Sequence, residues 1–301
     1  MTAGAPPEHV QRDYPLARLT TIRTGGNASW FARPRREHEL EGLLAWAQAE
    51  GLDVGVVGSG SNLLVADLGF AGLVLKLDGS LAAIEHEANR LLCGGGARLP
   101  QAAARAAALG LSGIEFGVSI PGTVGGAIRM NANAYGGELS SALEWVDVCT
   151  AAGVDRRLAG DLGFAYRTSN LGPAEIVARA SFALEPRDPD AVKATLADLR
   201  SRRREAQPGG IKTFGSTFKN PDPERTAGRL LEEAGCKGLQ VGGARFSPKH
   251  ANFVENLGDA TTADVVALIA EGRRRVKEHS GVVLEPEVQL LGDVDFPWEE
   301  R

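Results

Sequence analysis

The sequence predicts an α+β protein of two domains. Three observations carry that expectation: short β-branched runs alternate with amphipathic helical patterns, glycines cluster in loops that follow strands, and a charged, proline-containing junction interrupts the chain near residue 187. The 301 residues, 43% hydrophobic and 24% charged, are enough to bury a sizeable core. The 38 glycines exceed the usual share of about 7% and follow no collagen period, so they mark tight turns and close backbone approaches.

Along the chain, Leu40, Leu43, Leu44 and Ala47 recur at helical spacing within 37–50, and Gly51 closes that helix. A short strand over 53–57 runs into Gly58-Ser59-Gly60-Ser61-Asn62, and further strands are expected at 71–77 and 90–93. Alanine-rich 100–109 reads as a helix ending at Gly110. The glycine-dense stretch 113–137 shows little periodicity, and an irregular stretch of that length in a compact domain is usually functional. Strands resume at 145–150, 154–158 and 176–184.

The run Glu185-Pro186-Arg187-Asp188-Pro189 marks the boundary, giving domains 1–187 and 188–301. The second domain begins with a helix over 190–206 and continues through a loop, 207–223, to helices at 225–234 and 262–279. Thr261 and Asp264 stand at capping-box spacing before the last of these.

A net charge of −5 argues against general nucleic-acid affinity and for a small-molecule partner. Cys93, Cys149 and Cys236 lack the spacing of a metal or redox motif and read as reduced core thiols. Neither a secretory leader in the first ten residues nor an apolar run of about 18 residues is present, so the expectation is a cytoplasmic protein with no metal and no membrane partner.

Two loops carry the cofactor argument. Small residues in Gly58-Ser59-Gly60-Ser61-Asn62 let backbone N–H groups approach a diphosphate, yet the loop lacks the third glycine of the dinucleotide fingerprint and the Lys-Ser/Thr ending of a P-loop. A tight turn explains it equally well. Ile120-Pro121-Gly122-Thr123-Val124-Gly125-Gly126-Ala127 offers a second small-residue loop. Together they suit an extended diphosphate cofactor such as FAD, with structural glycines as the alternative.

At this point collinear motifs accumulate: Thr20-Thr21-Ile22-Arg23-Thr24-Gly25-Gly26, Gly60-Ser61-Asn62-Leu63-Leu64, the loop from Ile120 to Ala127, Met130-Asn131-Ala132, Ala134-Tyr135-Gly136-Gly137-Glu138, Tyr166-Arg167-Thr168-Ser169, Gly215-Ser216-Thr217-Phe218-Lys219-Asn220-Pro221, His250-Ala251-Asn252-Phe253 and Leu284-Glu285-Pro286-Glu287-Val288. In this order they resemble the UDP-N-acetylenolpyruvoylglucosamine reductases in their shorter form.

The resemblance implies a two-subdomain FAD-binding module of the vanillyl-alcohol-oxidase type and a C-terminal α/β substrate-binding domain. It implies non-covalent FAD held by Gly58, Ser59, Gly60, Ser61, Asn62, Gly122, Thr123, Gly125 and Gly126, with NADPH as co-substrate and a UDP-sugar as substrate; a monomer is the expected state.

The resemblance also implies a catalytic set. Arg167 is the cation for a carboxylate-bearing, enolate-like intermediate, which a guanidinium can bind bidentately. Ser216 is the proton donor and Glu287 the third catalytic group, Glu285 being the neighbouring acid that is not. Lys219, Asn220, His250 and Asn252 are implied substrate contacts, with Tyr135 and Tyr166 weaker ones. The run Arg202-Arg203-Arg204 reads better as an exposed helix face than as a diphosphate site.

Three positions depart from the family pattern: Arg129 where an aromatic residue is usual, Asn133 where glycine is usual, and Cys236 where leucine is usual. Arg129 puts contacts to flavin or nicotinamide in question. Two alternatives stand beside the reductase reading. One is another oxidoreductase of the same module, disfavoured because its histidine or cysteine flavin attachment has no counterpart: the five histidines avoid both loops. The other is a non-catalytic nucleotide-binding protein, which would not need Arg167, Ser216 and Glu287 intact.

Overall fold

The structure, a computed structural model, describes residues 6–222, 224–294 and 296–298; the end of the expected 207–223 loop at Pro223 lies outside them. Two compact units emerge. One takes the described residues up to Arg12 with Trp30–Ser59 and Gly72–Arg203; the other takes Asp13–Ser29, Gly60–Ala71 and the described residues from Arg204 onward.

In the first unit, helix α1 (Glu37–Ala49) buries Leu40, Leu43, Leu44 and Ala47, as its spacing predicts. These side chains pack with Leu73, Leu75, Cys149, Ile176 and Ala178. Strand Val54–Val56 lies parallel to Phe70–Leu75, with Val54 opposite Leu73 and Val56 opposite Leu75. An antiparallel five-stranded sheet forms the rest of the scaffold in the order Gly153–Leu158, Leu143–Thr150, Ile176–Ala183, Arg90–Gly94, Ile84–Glu87. Its core face packs Leu91, Cys93, Val146, Val148, Val177 and Phe182 against helix α2 (Leu99–Ala108). Truncating one such fully buried aliphatic side chain to alanine would cost about 2–5 kcal/mol.

The aperiodic stretch 113–137 contains a helix that the pattern did not announce, α3 (Val124–Arg129). Six residues, two of them glycine, are too few to show a 3.6-residue period. The helix is set instead by tertiary hydrogen bonds from Val124 N to Ala97 O and Gly125 N to Gly95 O, both 2.8 Å, and by Thr123 at its N-cap.

Helix α4 (Pro189–Ala206) starts where the proline junction predicts. Its buried residues Val192, Leu196 and Leu199 pack on Ala103, Ala107 and Val118 of the first unit. The 187/188 junction and the contact grouping therefore divide the chain at different points: the junction ends a strand, whereas the apolar face of α4 finds its partners on α2.

The second unit is built on α5 (Ala227–Glu233), α6 (Thr262–Ser280) and a three-stranded antiparallel sheet of Gln240–Val241, Ala244–Phe246 and Val254–Asn256. Phe214, Phe218, Leu231, Phe246, Leu268 and Ile269 share its core. The expected capping box is present: Thr261 Oγ1 accepts from Asp264 N, and Asp264 accepts from Thr261 N, both at 3.0 Å. Gly281, at φ +74, ends the helix in the left-handed region that favours glycine. Gln289–Leu291 runs parallel to Leu63–Val65, so the strand after the first glycine loop belongs to this unit.

All three cysteines are buried free thiols. Burial pushes Cys93 and Cys149 up to about 12, leaving both protonated and inert at neutral pH. Among the described residues no helix is long and apolar enough to cross a membrane, and no group of three or more His, Cys, Asp or Glu side chains is placed to hold a metal.

Candidate active site

Within the first unit the start of the first glycine loop meets the second loop. A Cβ on Gly58 would lie 2.4 Å from Thr123 Oγ1, inside any tolerable contact, so the two segments approach as only glycine permits. Lys76 Nζ donates to Gly58 O in a short hydrogen bond. Burial and the neighbouring Arg33 and Arg98 lower the Lys76 pKa. A third glycine segment, passed over in the sequence, supports this region: a Cβ on Gly95 would meet Val177 O at 1.8 Å. Three successive glycines after a strand, Gly94 to Gly96, were the available signal.

Gly122 and Gly126 differ from Gly58. Neither adopts positive φ, and a Cβ would meet only Ile120 Cγ2 at 3.8 Å or Thr123 Oγ1 at 3.4 Å. The protein itself leaves room for a Cβ there, so packing within the chain does not require glycine at either position. Within either unit, no hydrogen bond among the described residues uses the N–H of Gly58, Ser59, Gly60, Ser61 or Asn62. Gly60, at φ +65, is pinned in the second unit by Thr21, whose N and Oγ1 both donate to its carbonyl at 3.0 Å. Backbone donors and space for a Cβ-free approach fit a diphosphate-bearing cofactor.

Arg167 occupies a tight turn of the first unit. Ala165 and Thr168 exchange both backbone hydrogen bonds at 3.2 Å, and Arg167 between them is left-handed at φ 60. A non-glycine residue held there is costly, by about 1–3 kcal/mol, and such strain persists where surrounding structure over-determines it. The half-buried guanidinium lies 5.2 Å from the Tyr166 ring centroid and donates Nη1 to Asn133 Oδ1 at 3.0 Å. Tyr135, at φ 52, lines a cleft of about 430 Å3 with Glu115, Phe116 and Arg187.

In the second unit, the segment Ser216–Lys219 is clasped between two others. Ser216 bridges Phe253, Thr217 N donates to Asn252 O at 2.8 Å, and Phe218 bridges Pro286. Glu287 N donates to Thr217 O at 2.8 Å and Lys219 N to Glu285 O at 2.9 Å. Backbone pairing thus carries the half-buried Ser216 and Glu287 into one neighbourhood, 71 residues apart in sequence, and Pro286 stands at the crossing. No hydrogen bond among the described residues engages Ser216 Oγ, whereas Gly215 at φ +84 forms the turn that presents it.

The remaining sequence candidates have definite partners. Asn252 accepts from Phe218 N and donates to Phe218 O, both at 2.9 Å, so its amide holds the main chain beside Ser216. Asn220 Oδ1 accepts from Ala227 N at the start of α5. His250 Nδ1 accepts from Asn252 N at 3.2 Å, and burial lowers its pKa. Lys219 Nζ sits 3.4 Å from Glu285. Arg202 pairs with Asp198 one turn away on an exposed face, and Arg204 is exposed, whereas Arg203 is half-buried.

Two of the departures acquire a physical account. The guanidinium of half-buried Arg129 donates to the carbonyls of Leu171, Gly172 and Glu175 at 2.6–3.0 Å, so it braces a loop. Asn133 is not left-handed; that geometry falls on Asn131 (φ 38) and Tyr135, so tolerance of positive φ is not what asparagine contributes at 133. Cys236 is packed in the core of the second unit in place of the usual leucine.

Residues 28–158 match the FAD binding domain family, and 207–291 match the UDP-N-acetylenolpyruvoylglucosamine reductase C-terminal domain. The chain is 46% identical over 97% of its length to UDP-N-acetylenolpyruvoylglucosamine reductase of Anaeromyxobacter dehalogenans, covering 88% of that protein. It is 44% identical, over 97% of the chain and 94% of the relative, to reductase 2 of Symbiobacterium thermophilum. The crystal structure of the Thermus caldophilus enzyme superposes with a TM-score of 0.82 at 37% identity, covering 94% of this chain and 99% of that one. The expected fold, an FAD-binding module of the vanillyl-alcohol-oxidase type with a reductase C-terminal domain, is the one found, and the chain belongs to the UDP-N-acetylenolpyruvoylglucosamine reductase family.

Proposed function

We propose that this protein reduces the enolpyruvyl group of UDP-N-acetylenolpyruvoylglucosamine to give UDP-N-acetylmuramate, a peptidoglycan precursor, with NADPH as reductant and non-covalent FAD as cofactor. The observation that carries this reading is family membership over nearly the whole chain. Bound FAD supplies the hydride for the terminal alkene carbon. Gly122 and Gly126 would leave space for it, and the amides of Gly58, Ser59, Gly60, Ser61 and Asn62 with Thr123 and Gly125 would hold it.

Hydride arrival places negative charge on the carbon beside the substrate carboxylate. Arg167 binds that carboxylate and stabilises the enolate-like charge, an electrostatic effect strongest where water is excluded. Ser216 Oγ delivers the proton to the carbon, and Glu287 assists enol stabilisation or proton transfer. Lys219, Asn220 and His250 contribute to substrate binding, and Asn252 acts through the Phe218 main chain that it holds. The substrate and NADPH are cytoplasmic metabolites, so the enzyme works in the cytoplasm, as a monomer in which one chain carries the full set of residues.

Incubating purified protein with NADPH and the enolpyruvyl UDP-sugar should yield a product heavier by two hydrogens in mass spectrometry. Recovery of unchanged UDP-sugar from flavin-loaded protein would refute the assignment.

A further inference from the structure

The segment Arg129–Asn133 grips the turn that carries Arg167 at every second residue. Arg129 donates its guanidinium to Leu171, Gly172 and Glu175 carbonyls and accepts Ser169 Oγ at its own carbonyl, 2.9 Å away. Asn131 Nδ2 reaches Ala165 O at 3.3 Å and Glu138 Oε1 at 2.6 Å. Asn133 completes the series: its Oδ1 accepts from Arg167 Nη1 at 3.0 Å, with its main-chain carbonyl 3.4 Å from the same nitrogen. Asn131 holds the turn's backbone, and Arg129 the chain that follows it. The third contact engages the guanidinium itself.

We infer that Asn133 is a positioning residue for Arg167, aiming its guanidinium through a neutral amide oxygen. The chemistry favours an amide here. A guanidinium has five N–H donors, and a carboxylate ligand engages one edge bidentately, leaving other donors to be oriented. A carboxylate at position 133 would orient them too, but would compete with the ligand for the positive charge. The neutral Asn133 oxygen orients without competing. Glycine, usual at this position in the family, has no side chain to form the 3.0 Å bond, so this chain carries a restraint that a glycine-bearing relative makes in some other way or lacks.

The inference rests on the proposed carboxylate-binding role of Arg167. A double-mutant cycle separates the two, read on dissociation constants of the enolpyruvyl UDP-sugar for oxidised, flavin-loaded protein by calorimetry, which needs no turnover. Asn133→Ala should bind the sugar roughly 10- to 100-fold more weakly, the range for losing one hydrogen bond to a charged group, with an unchanged thermal unfolding midpoint. Asn133→Asp should weaken binding further than Asn133→Ala, because its carboxylate competes for the guanidinium. In an Arg167→Ala background, Asn133→Ala should add nothing.

An equal loss from Asn133→Ala in both backgrounds, or unaltered binding in the wild-type background, overturns the positioning role. Arg167→Ala protein that binds and turns over substrate like wild type instead overturns the role of Arg167 itself. Should Asn133→Ala fold poorly, Asn133→Gly, which restores the family's usual residue, provides the same comparison.

Discussion

Replacing Gly122 by alanine separates a ligand cradle from a structural turn. The backbone at Gly122 is fixed by its own N–H to Ile120 O at 2.8 Å and by Leu99 N to its carbonyl at 3.0 Å, without positive φ. An added Cβ would make one ordinary contact, 3.8 Å to Ile120 Cγ2. The apoprotein should therefore lose no stability; relief of unfolded-state entropy at a compatible glycine site raises it by about 0.4–1 kcal/mol. A methyl group forced into a packed ligand contact costs about 1–3 kcal/mol. That corresponds to roughly a 5- to 150-fold weaker FAD dissociation constant.

Gly58→Ala is the contrasting variant, because its Cβ would strike Thr123 Oγ1 at 2.4 Å and should destabilise the protein with or without FAD. Titrating deflavinated protein with FAD, alongside thermal unfolding of each apoprotein, reads both quantities. Wild-type FAD affinity in Gly122→Ala would refute the assignment of this loop to the cofactor.

Further outcomes follow from the same geometry. Ser216→Ala should retain flavin reduction by NADPH while losing substrate reduction, seen by stopped-flow absorbance of each half-reaction; equal loss of both would contradict the proton-donor role. Arg129→Met strips three carbonyls of a half-buried donor group and should lower stability by roughly 1–3 kcal/mol, measured by denaturant unfolding. Hydrogen bonds from Arg157, then from Gly172 N, hold Glu175 down to about 2. Its folded pKa is below the unfolded value of an ordinary carboxylate, so its stabilisation is complete above that value and disappears as pH falls through about 2. Glu175→Gln should flatten that acid loss, and parallel curves for both proteins would show that the pair contributes nothing. Acid precipitation should release the flavin into solution, and colour remaining with the protein pellet would favour covalent attachment.

The sequence exposed the parts of this fold that follow local rules. Leu40, Leu43, Leu44 and Ala47 are buried at their helical spacing, and Thr261 with Asp264 caps α6. Helix α3 stayed hidden because its first-turn donors go to Ala97 and Gly95, long-range partners that no periodicity reports. The short sheet of Gln240–Val241, Ala244–Phe246 and Val254–Asn256 was missed because strands of two or three residues are too brief to show alternation.

At the candidate site, the residues themselves were legible from collinear motifs, but not what holds them. That Asn252 secures Phe218, that Arg129 braces the Leu171–Glu175 loop, and that Asn133 touches Arg167 all depend on side-chain directions. Arg129, the departure that put contacts to flavin or nicotinamide in question, is engaged by three carbonyls.

The central claim is that this chain is an NADPH-dependent reductase of an enolpyruvyl UDP-sugar. Its most direct test is NADPH consumption, followed at 340 nm in an ordinary absorbance assay, by purified flavin-loaded protein with and without UDP-N-acetylenolpyruvoylglucosamine. Sustained oxidation stoichiometric with UDP-N-acetylmuramate is expected only when the sugar is present; oxidation indifferent to the sugar, or none with it, would contradict the reductase assignment.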